Sequence, residues 1–291
     1  KWKGDHGTIQ WYRAGLSSEV KATFHDYEVD VRQPKVKVEN ATLYYPKFFA
    51  YPILGVVEDK VGLESEEEKV SFPRFRSYDE EVLVHDIYKN VDYIGGFEMR
   101  GASIQGYASA GNMARLNIRK ADTTVVSVRA MHYLFKEETV WSKDSYVSIY
   151  IDTDSIYHPA ADFYYNEEKT LLQITRPKYG VGRSPFFDTY HKMDLRVESL
   201  VWDMSTDKVE LKPLASMNSE SAATFESQNF FNYATMRELQ GVNRENPLLT
   251  LWKLFKSYDY QPLTFEQVGQ VIRHSPEDVR ALLIQFAADG F

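Results

Sequence analysis

The chain contains no cysteine among its 291 residues. This absence excludes disulfides, zinc sites built on thiolates, iron–sulfur clusters and cysteine nucleophiles. It does not identify the compartment, because a chain of this length can bury a large core without disulfides. No apolar run approaches the roughly 18 residues of a membrane-spanning helix, so we predict no transmembrane segment.

Positive charge is outnumbered by negative charge, since 34 Lys and Arg stand against 42 Asp and Glu and give a net charge of -8. A dedicated nucleic-acid-binding protein normally carries a basic surface, so we expect no nucleic-acid partner. Aromatic residues, in contrast, are abundant, with 20 Tyr and 17 Phe. Together with the β-branched residues they can supply a core, and the composition therefore argues against disorder.

Residues 7–214 show the alternation of apolar and polar residues that is typical of β-strands. The alternating segments are separated by Gly, Pro, Asn and Asp, and no window before Ser216 has a convincing helical stripe. Because the interruptions are short, the pattern favours an all-β topology over strands linked by crossover helices. The clearest segments are 8–12, 27–31, 36–38, 82–84, 97–99, 125–128, 147–151 and 171–174.

Five of the β segments share one pattern, in which two alternating apolar residues precede a small or polar step and a new apolar–aromatic pair. The step shifts the alternation by one residue, as a bend or bulge does, so the two halves can face one core from different walls. The spacing fits multiples of a coil of about 20 to 30 residues. We therefore predict a β-solenoid or a stack of bent strands, with a β-sandwich or jelly roll as the alternative. The segments begin at Val36, Phe97, Val126, Ile149 and Leu195.

The composition changes near residue 215, where residues 216–224 are small and polar and predict a linker. We therefore place an elongated all-β domain at residues 1–215 and a helical module at residues 216–291. Within the module, apolar residues at roughly helical spacing predict a first helix from Phe225 to Leu239.

Three further helices carry clear start signals, because each has a capping residue before a first-turn proline or in a capping box. Together these helices resemble a winged-helix module, and the last two residues are placed to begin a wing strand. The N-caps are Asn246, Thr264 and Ser275, the helical segments are 247–258, 264–273 and 275–289, and the wing would start at Gly290 and Phe291.

The winged-helix resemblance implies a third helix that could enter the major groove of DNA. In this chain that helix carries Glu277, Asp278 and Asp289 against the single cation Arg280. Such a face would repel phosphates more than it attracts them. We therefore expect a packing or protein-contact unit rather than a DNA-binding one.

The β region resembles large β-rich envelope proteins of Gram-negative bacteria in short sequence segments such as residues 154–159, 95–97 and 232–235. Its strand–step–strand copies are more distantly similar to the stacked scaffold of lipopolysaccharide-transport proteins of the OstA type. The resemblance implies an extracytoplasmic protein, in the periplasm or associated with the outer membrane, and brings no catalytic residues with it. Since neither an initiator Met nor a signal peptide is present, we expect the chain to be a piece of a longer protein.

One constellation has the form of a catalytic or metal site. Asp152 and Asp154 are two apart on a predicted strand, so their carboxylates would share one face about 7 Å apart. Such a pair could serve inverting glycoside hydrolysis or hold a divalent cation, with the nearby His158 or the distant His191 assisting. The competing interpretation is a solvated strand end at a turn. Because the pair is common in ordinary proteins, we predict no catalytic residue, metal or cofactor here.

Aromatic residues cluster in two places and leave two interpretations open. At alternate strand positions such rings usually build the core, and this is the interpretation we favour. A line of exposed rings would instead indicate a groove for glycan, lipid or a partner chain. The rings are Tyr44, Tyr45, Phe48, Phe49, Tyr51, Phe163, Tyr164 and Tyr165.

These observations together predict a non-enzymatic scaffold of the bacterial cell envelope that binds protein, glycan or lipid partners. The alternative is a carbohydrate-active enzyme, a glycoside hydrolase or lyase on a β-solenoid, that uses Asp152 and Asp154.

Overall fold

Antiparallel strands make up most of the molecule, and helices follow them, as the sequence predicts. The computed structural model describes residues 1–30, 32–62, 65, 70–109, 112–213, 223–228 and 246–288. In these ranges, no helix is long and apolar enough to cross a lipid bilayer.

The described elements are nineteen strands, three α-helices and two 3-10 turns. The strands are β1 (Trp2–Gln10), β2 (Lys21–Val29), β3 (Lys35–Tyr44), β4 (Ile53–Lys60), β5 (Arg74–Ser77), β6 (Val82–Tyr88), β7 (Val91–Arg100), β8 (Ser103–Tyr107), β9 (Ala114–Lys120), β10 (Thr123–Ala130), β11 (His132–Phe135), β12 (Thr139–Ile151), β13 (Asp154–Asn166), β14 (Leu171–Thr175), β15 (Phe186–Asp188), β16 (Met193–Arg196), β17 (Ser199–Asp203), β18 (Val209–Lys212) and β19 (Thr224–Ser227). The helices are α1 (Pro247–Ser257), α2 (Phe265–Ile272) and α3 (Pro276–Ala288), and the 3-10 turns are Tyr12–Ala14 and Gly180–Arg183.

The strands form two walls. Wall A has the order β6–β7–β9–β10–β12–β13–β15–β16–β19. Wall B has the order β1–β2–β3–β4–β5–β7–β8–β11–β12–β13–β14–β17–β18. The strands β7, β12 and β13 occur in both walls and join them.

Each shared strand changes its partner part-way along at least one edge. In β7, residues 91–94 pair with β9 and residues 96–100 pair with β8. In β12, residues 146–149 pair with β10, whereas Val140 and Trp141 pair with β11. In β13, the change is from β15 to β14. The long strands therefore bend from one wall into the other, and a single hydrophobic cluster fills the space between the walls.

The small or polar steps that interrupt the alternation in the five similar β segments have three different structures. At Ala130 and at residues 197–198 the chain passes from wall A to wall B, as the shifted alternation predicts. Asn40, with φ of 55°, is a bulge inside β3. The steps at Gly101 and Asp152 are instead hairpin turns, so for them the predicted bend is wrong. The reason is that a two-residue turn interrupts the alternation in the same way as a bulge.

The described strand pairings are antiparallel and link neighbouring segments of the chain. They confirm a mainly β fold that is followed by helices, but they do not confirm the coils of a β-solenoid. Two walls that enclose one core correspond more closely to the sandwich alternative.

The aromatic clusters divide between core and surface because alternate strand positions face opposite sides. The core interpretation is confirmed for Tyr45, Phe49, Phe163 and Tyr165, which are buried, whereas Tyr44, Tyr51 and Tyr164 are exposed.

The predicted caps of the three helices are confirmed. The Asn246 side chain accepts a hydrogen bond from the Leu248 N–H, and Ser275 Oγ accepts one from the Asp278 N–H. Thr264 and Gln267 form the reciprocal capping box. The helices share a small hydrophobic cluster of their own, and α3 lies against the Gly180–Arg183 turn.

The first helix of the module requires a correction. Phe225 lies in β19, where it pairs with Leu195 of β16, so the β region continues at least to residue 227. A short segment of this kind can pair with a strand at the edge of the sheet. This pairing stabilises it more than a helix would, because its helical spacing is weak. The predicted boundary at residues 215–216, most of the linker, the rest of the predicted first helix and the wing residues lie outside the described residues.

Gly101 offers a test of the hairpin between β7 and β8. Its φ is 56°, and a Cβ atom there would lie 1.7 Å from the Val70 carbonyl oxygen. We expect Gly101→Ala to lower the free energy of unfolding, measured by urea denaturation, by about 3 kcal/mol. Gly15→Ala is the matched control, because Gly15 has φ of 77° but no atom within 4 Å of the added Cβ. We expect the control to lose about 1 kcal/mol, and equal losses would contradict the proposed clash.

Candidate functional site

The structure does not place Asp152 and Asp154 on one strand face. Ile151 pairs with Asp154, so Asp152 and Thr153 form the two-residue turn between β12 and β13. Asp152 is exposed with φ of 52°, and Asp154 accepts a hydrogen bond of 3.0 Å from Thr189 Oγ1. The predicted paired face is therefore wrong, and the turn interpretation holds, because Asp tolerates the left-handed backbone that such a turn requires.

His158 lies in the core of the protein, about 13 Å along β13 from Asp154. It is 0% exposed. Its Nδ1 accepts a hydrogen bond from the Ala160 N–H, and its Nε2–H donates one to the Ser184 carbonyl oxygen at 3.0 Å. Burial lowers the pKa of His158 from 6.5 to about 4, so the ring is neutral at physiological pH.

The three candidate residues consequently do not converge. His158 uses both ring nitrogens in backbone hydrogen bonds, which leaves neither for a substrate. Within the described ranges, no three His, Asp or Glu side chains lie close enough together to hold a metal ion.

The pH dependence of folding tests the buried state of His158. Below its ordinary pKa of 6.5, the unfolded chain binds a proton that the folded protein does not bind until about pH 4. The stability contributed by the neutral ring is therefore complete above pH 6.5 and is lost as the pH falls towards 4. From about pH 7.5 to about pH 5, we expect the unfolding free energy of the wild type to fall by about 2 kcal/mol relative to His158→Gln. If the difference in unfolding free energy between the wild type and His158→Gln, measured by urea denaturation, did not change with pH, the folded protein would protonate His158 normally.

A polar groove of about 410 Å³ lies on the outer face of wall A. It crosses β9, β10 and β12, in which Leu116, Val128 and Val147 point into the core and the residues between them point outward. The groove is lined by Arg115, Asn117, Thr124, Ser127, Arg129, Tyr146, Ser148 and Tyr150.

Two arginines face each other across this groove. Arg115 on β9 pairs directly with Arg129 on β10, and both side chains are exposed. In the part of the chain that the structure describes, neither guanidinium forms an ion pair. The neighbouring Arg119, in contrast, lies 2.7 Å from Asp86 and 2.9 Å from Asp92. Like charges directly opposite each other destabilise a sheet, so the pair is a place where an anion would bind favourably.

A row of stacked rings supports one of the arginines. The Arg129 guanidinium carbon lies 4.3 Å from the centroid of the Tyr146 ring. Tyr146 stacks on Tyr157 with 5.8 Å between centroids, and Tyr157 stacks on Phe187 with 5.1 Å. The rings cover one another's faces, and the guanidinium lies over the ring of Tyr146. Its N–H edge is then the part that can reach a ligand, the geometry in which arginine binds an oxyanion through two hydrogen bonds.

Polar side chains add donors beside the arginines. Ser127 Oγ donates a hydrogen bond of 2.9 Å to Asn117 Oδ1, which fixes the orientation of the amide. The amide N–H groups of Asn117 then point away from Ser127, and the hydroxyl-bearing ring of Tyr150 is 44% exposed. The groove thus presents guanidinium, amide and hydroxyl donors on one surface.

Sequence reasoning missed this groove. The alternation of residues 114–120 does indicate an outward row of Arg115, Asn117 and Arg119. It does not indicate which of these cations would lack a carboxylate, because Asp86 comes from β6, far away in the sequence.

Comparison of the chain with models of protein families, with curated protein sequences and with solved structures finds no match. We therefore infer function from the geometry of the groove and its surroundings.

Proposed function

We propose that this protein is a non-enzymatic binding scaffold that holds an acidic glycan in the groove between Arg115 and Arg129. The observation that carries the proposal is the directly opposed arginine pair without a carboxylate partner among the described residues. A carboxylate or sulfate group between the two guanidiniums would relieve their repulsion and satisfy their N–H donors.

The shape and composition of the groove support binding rather than catalysis. An open groove across a flat sheet face suits a polymer that extends beyond it, and the amide and hydroxyl groups suit sugar hydroxyls. The eight lining residues include no carboxylate and no imidazole. A glycoside hydrolase needs two positioned carboxyl groups, so this groove has no general acid or base of that kind.

The net charge of -8 makes a local cationic site necessary for such a ligand, because the whole chain repels anions at long range. The resemblance of the sequence to envelope proteins supports a place in the Gram-negative envelope, where acidic glycans are abundant. Contact with proteins or lipids through the sheet edges and the helices belongs to the same proposal.

Titration calorimetry with polygalacturonate, dextran sulfate and neutral dextran tests the proposal. We expect the wild type to bind an acidic polymer but not dextran, with an affinity that falls as salt is added. Arg115→Ala and Arg129→Ala should each weaken binding about tenfold, because each removes a charge-assisted donor pair. Arg129→Lys should restore charge but not the two-bond geometry, and so recover only part of the affinity.

Arg32→Ala is the matched control, because Arg32 is an exposed arginine whose hydrogen bonds to Asp30 are 2.9 and 2.7 Å long. Its removal changes the net charge by the same amount and should leave binding unchanged. Equal losses in the control would show a nonspecific charge effect. Failure of both acidic polymers to bind would rule out the acidic-glycan proposal.

A further inference from the structure

A second aromatic surface lies on the outer face of wall B, away from the arginine groove. Trp141 on β12 pairs directly with Tyr164 on β13, and Tyr164 pairs with Gln173 on β14. Their neighbours Phe163 and Leu172 are buried, so the three side chains project outward from adjacent strands. They line a depression of about 320 Å³ together with Ser142, Lys143, Asp162, Phe163 and Thr175.

The rings of this surface do not cover each other as those in wall A do. Among the described residues, neither Trp141 nor Tyr164 is stacked on another aromatic ring, and Tyr164 is 37% exposed. The Lys143 ammonium lies over the Trp141 ring at 6.0 Å from its centroid. The Trp–Tyr surface can therefore offer ring faces to a ligand.

Asp162 gives the depression an unsatisfied acceptor. Its Oδ1 atom is buried and accepts no hydrogen bond from the described residues. Burial raises the pKa of this carboxyl, and it outweighs the opposing effect of a hydrogen bond that the carboxyl accepts from the Asp144 backbone N–H. A buried acceptor without a donor is unfavourable, so a rotation of the carboxyl group that brought Oδ1 to a ligand hydroxyl would gain a strong hydrogen bond.

A bulge in β12 keeps the rim of the depression in place. The register shifts between Ser142 and Ser145, whose hydroxyl oxygens lie 2.6 Å apart, and Asp144 has φ of 49°. The bulge turns Lys143 outward at the edge of the depression. The polar groups around the rings are thus fixed by backbone geometry.

We propose that Trp141, Tyr164, Gln173 and Asp162 form a binding site for a neutral sugar residue. A pyranose ring has an apolar C–H face, which matches the aromatic surface, and a rim of hydroxyls, which match the carboxylate and the amide. Among the described residues that line the depression, Lys143 is the one cation and Asp162 the one carboxylate, and the charge of the neighbouring Asp144 adds to that of Asp162, so the site disfavours an anionic ligand. The polar rim is equally unsuited to an acyl chain. This site does not depend on the acidic-glycan groove.

Calorimetry with cellohexaose, maltohexaose, mannohexaose and chitohexaose tests the site on the full chain. We expect at least one of these oligosaccharides to bind, and Trp141→Ala to weaken its affinity about tenfold or more. Asp162→Asn and Gln173→Ala should also weaken binding, because each removes a partner of the sugar hydroxyls. Circular dichroism and urea denaturation would verify that each variant folds. If Trp141→Ala does not fold, Gln173→Ala provides the test of the site.

Trp252→Ala is the matched control, since Trp252 on α1 is an exposed tryptophan with Lys256 Nζ at 4.9 Å from its ring. This variant and Arg129→Ala should bind the neutral oligosaccharide as the wild type does. Failure of all four oligosaccharides to bind at millimolar concentration would overturn the proposal. So would unchanged affinity in the folded Asp162→Asn and Gln173→Ala variants. If only the binding of acidic polymers were absent, the proposal for the arginine groove would fail and the neutral-sugar site would stand.

Discussion

Each of the long strands β7, β12 and β13 forms its backbone hydrogen bonds in two walls, with different partners along at least one edge. An unpaired buried backbone group costs as much as a lost hydrogen bond, so the bends have to occur where the partner strands change. The other strands extend the walls outward from this frame. Because the frame fixes which residues point into the core, it also fixes the two outer faces on which the candidate sites lie.

The two outer faces use their aromatic residues differently. In wall A, Tyr146 and Tyr157 stack on each other and on Arg129, so the rings form a support and the cations present the binding groups. In wall B, the rings of Trp141 and Tyr164 lie side by side without covering each other. Under the two proposals, one fold would carry an anion-binding surface where rings cover each other and a surface for an uncharged ligand where they do not.

Local sequence patterns predicted much of the fold. Strand alternation identified the β class, and the caps at Asn246, Thr264 and Ser275 mark the helix starts because capping depends on residues close in the chain. Sequence patterns that are compatible with two different local structures were less informative. The interruption at Asp152 suits a turn as well as a bend, and the short segment around Phe225 suits a strand edge as well as a helix. In both cases tertiary pairing decided between them.

The sequence by itself determined the absence of thiol chemistry, the acidic net charge and the strand alternation. Only the tertiary structure decided that Arg115 faces Arg129, that Trp141 faces Tyr164 and that His158 is enclosed. The physical reason is that alternation has a period of two residues and is local. The register between strands depends instead on how both walls pack around one core, which no short segment specifies.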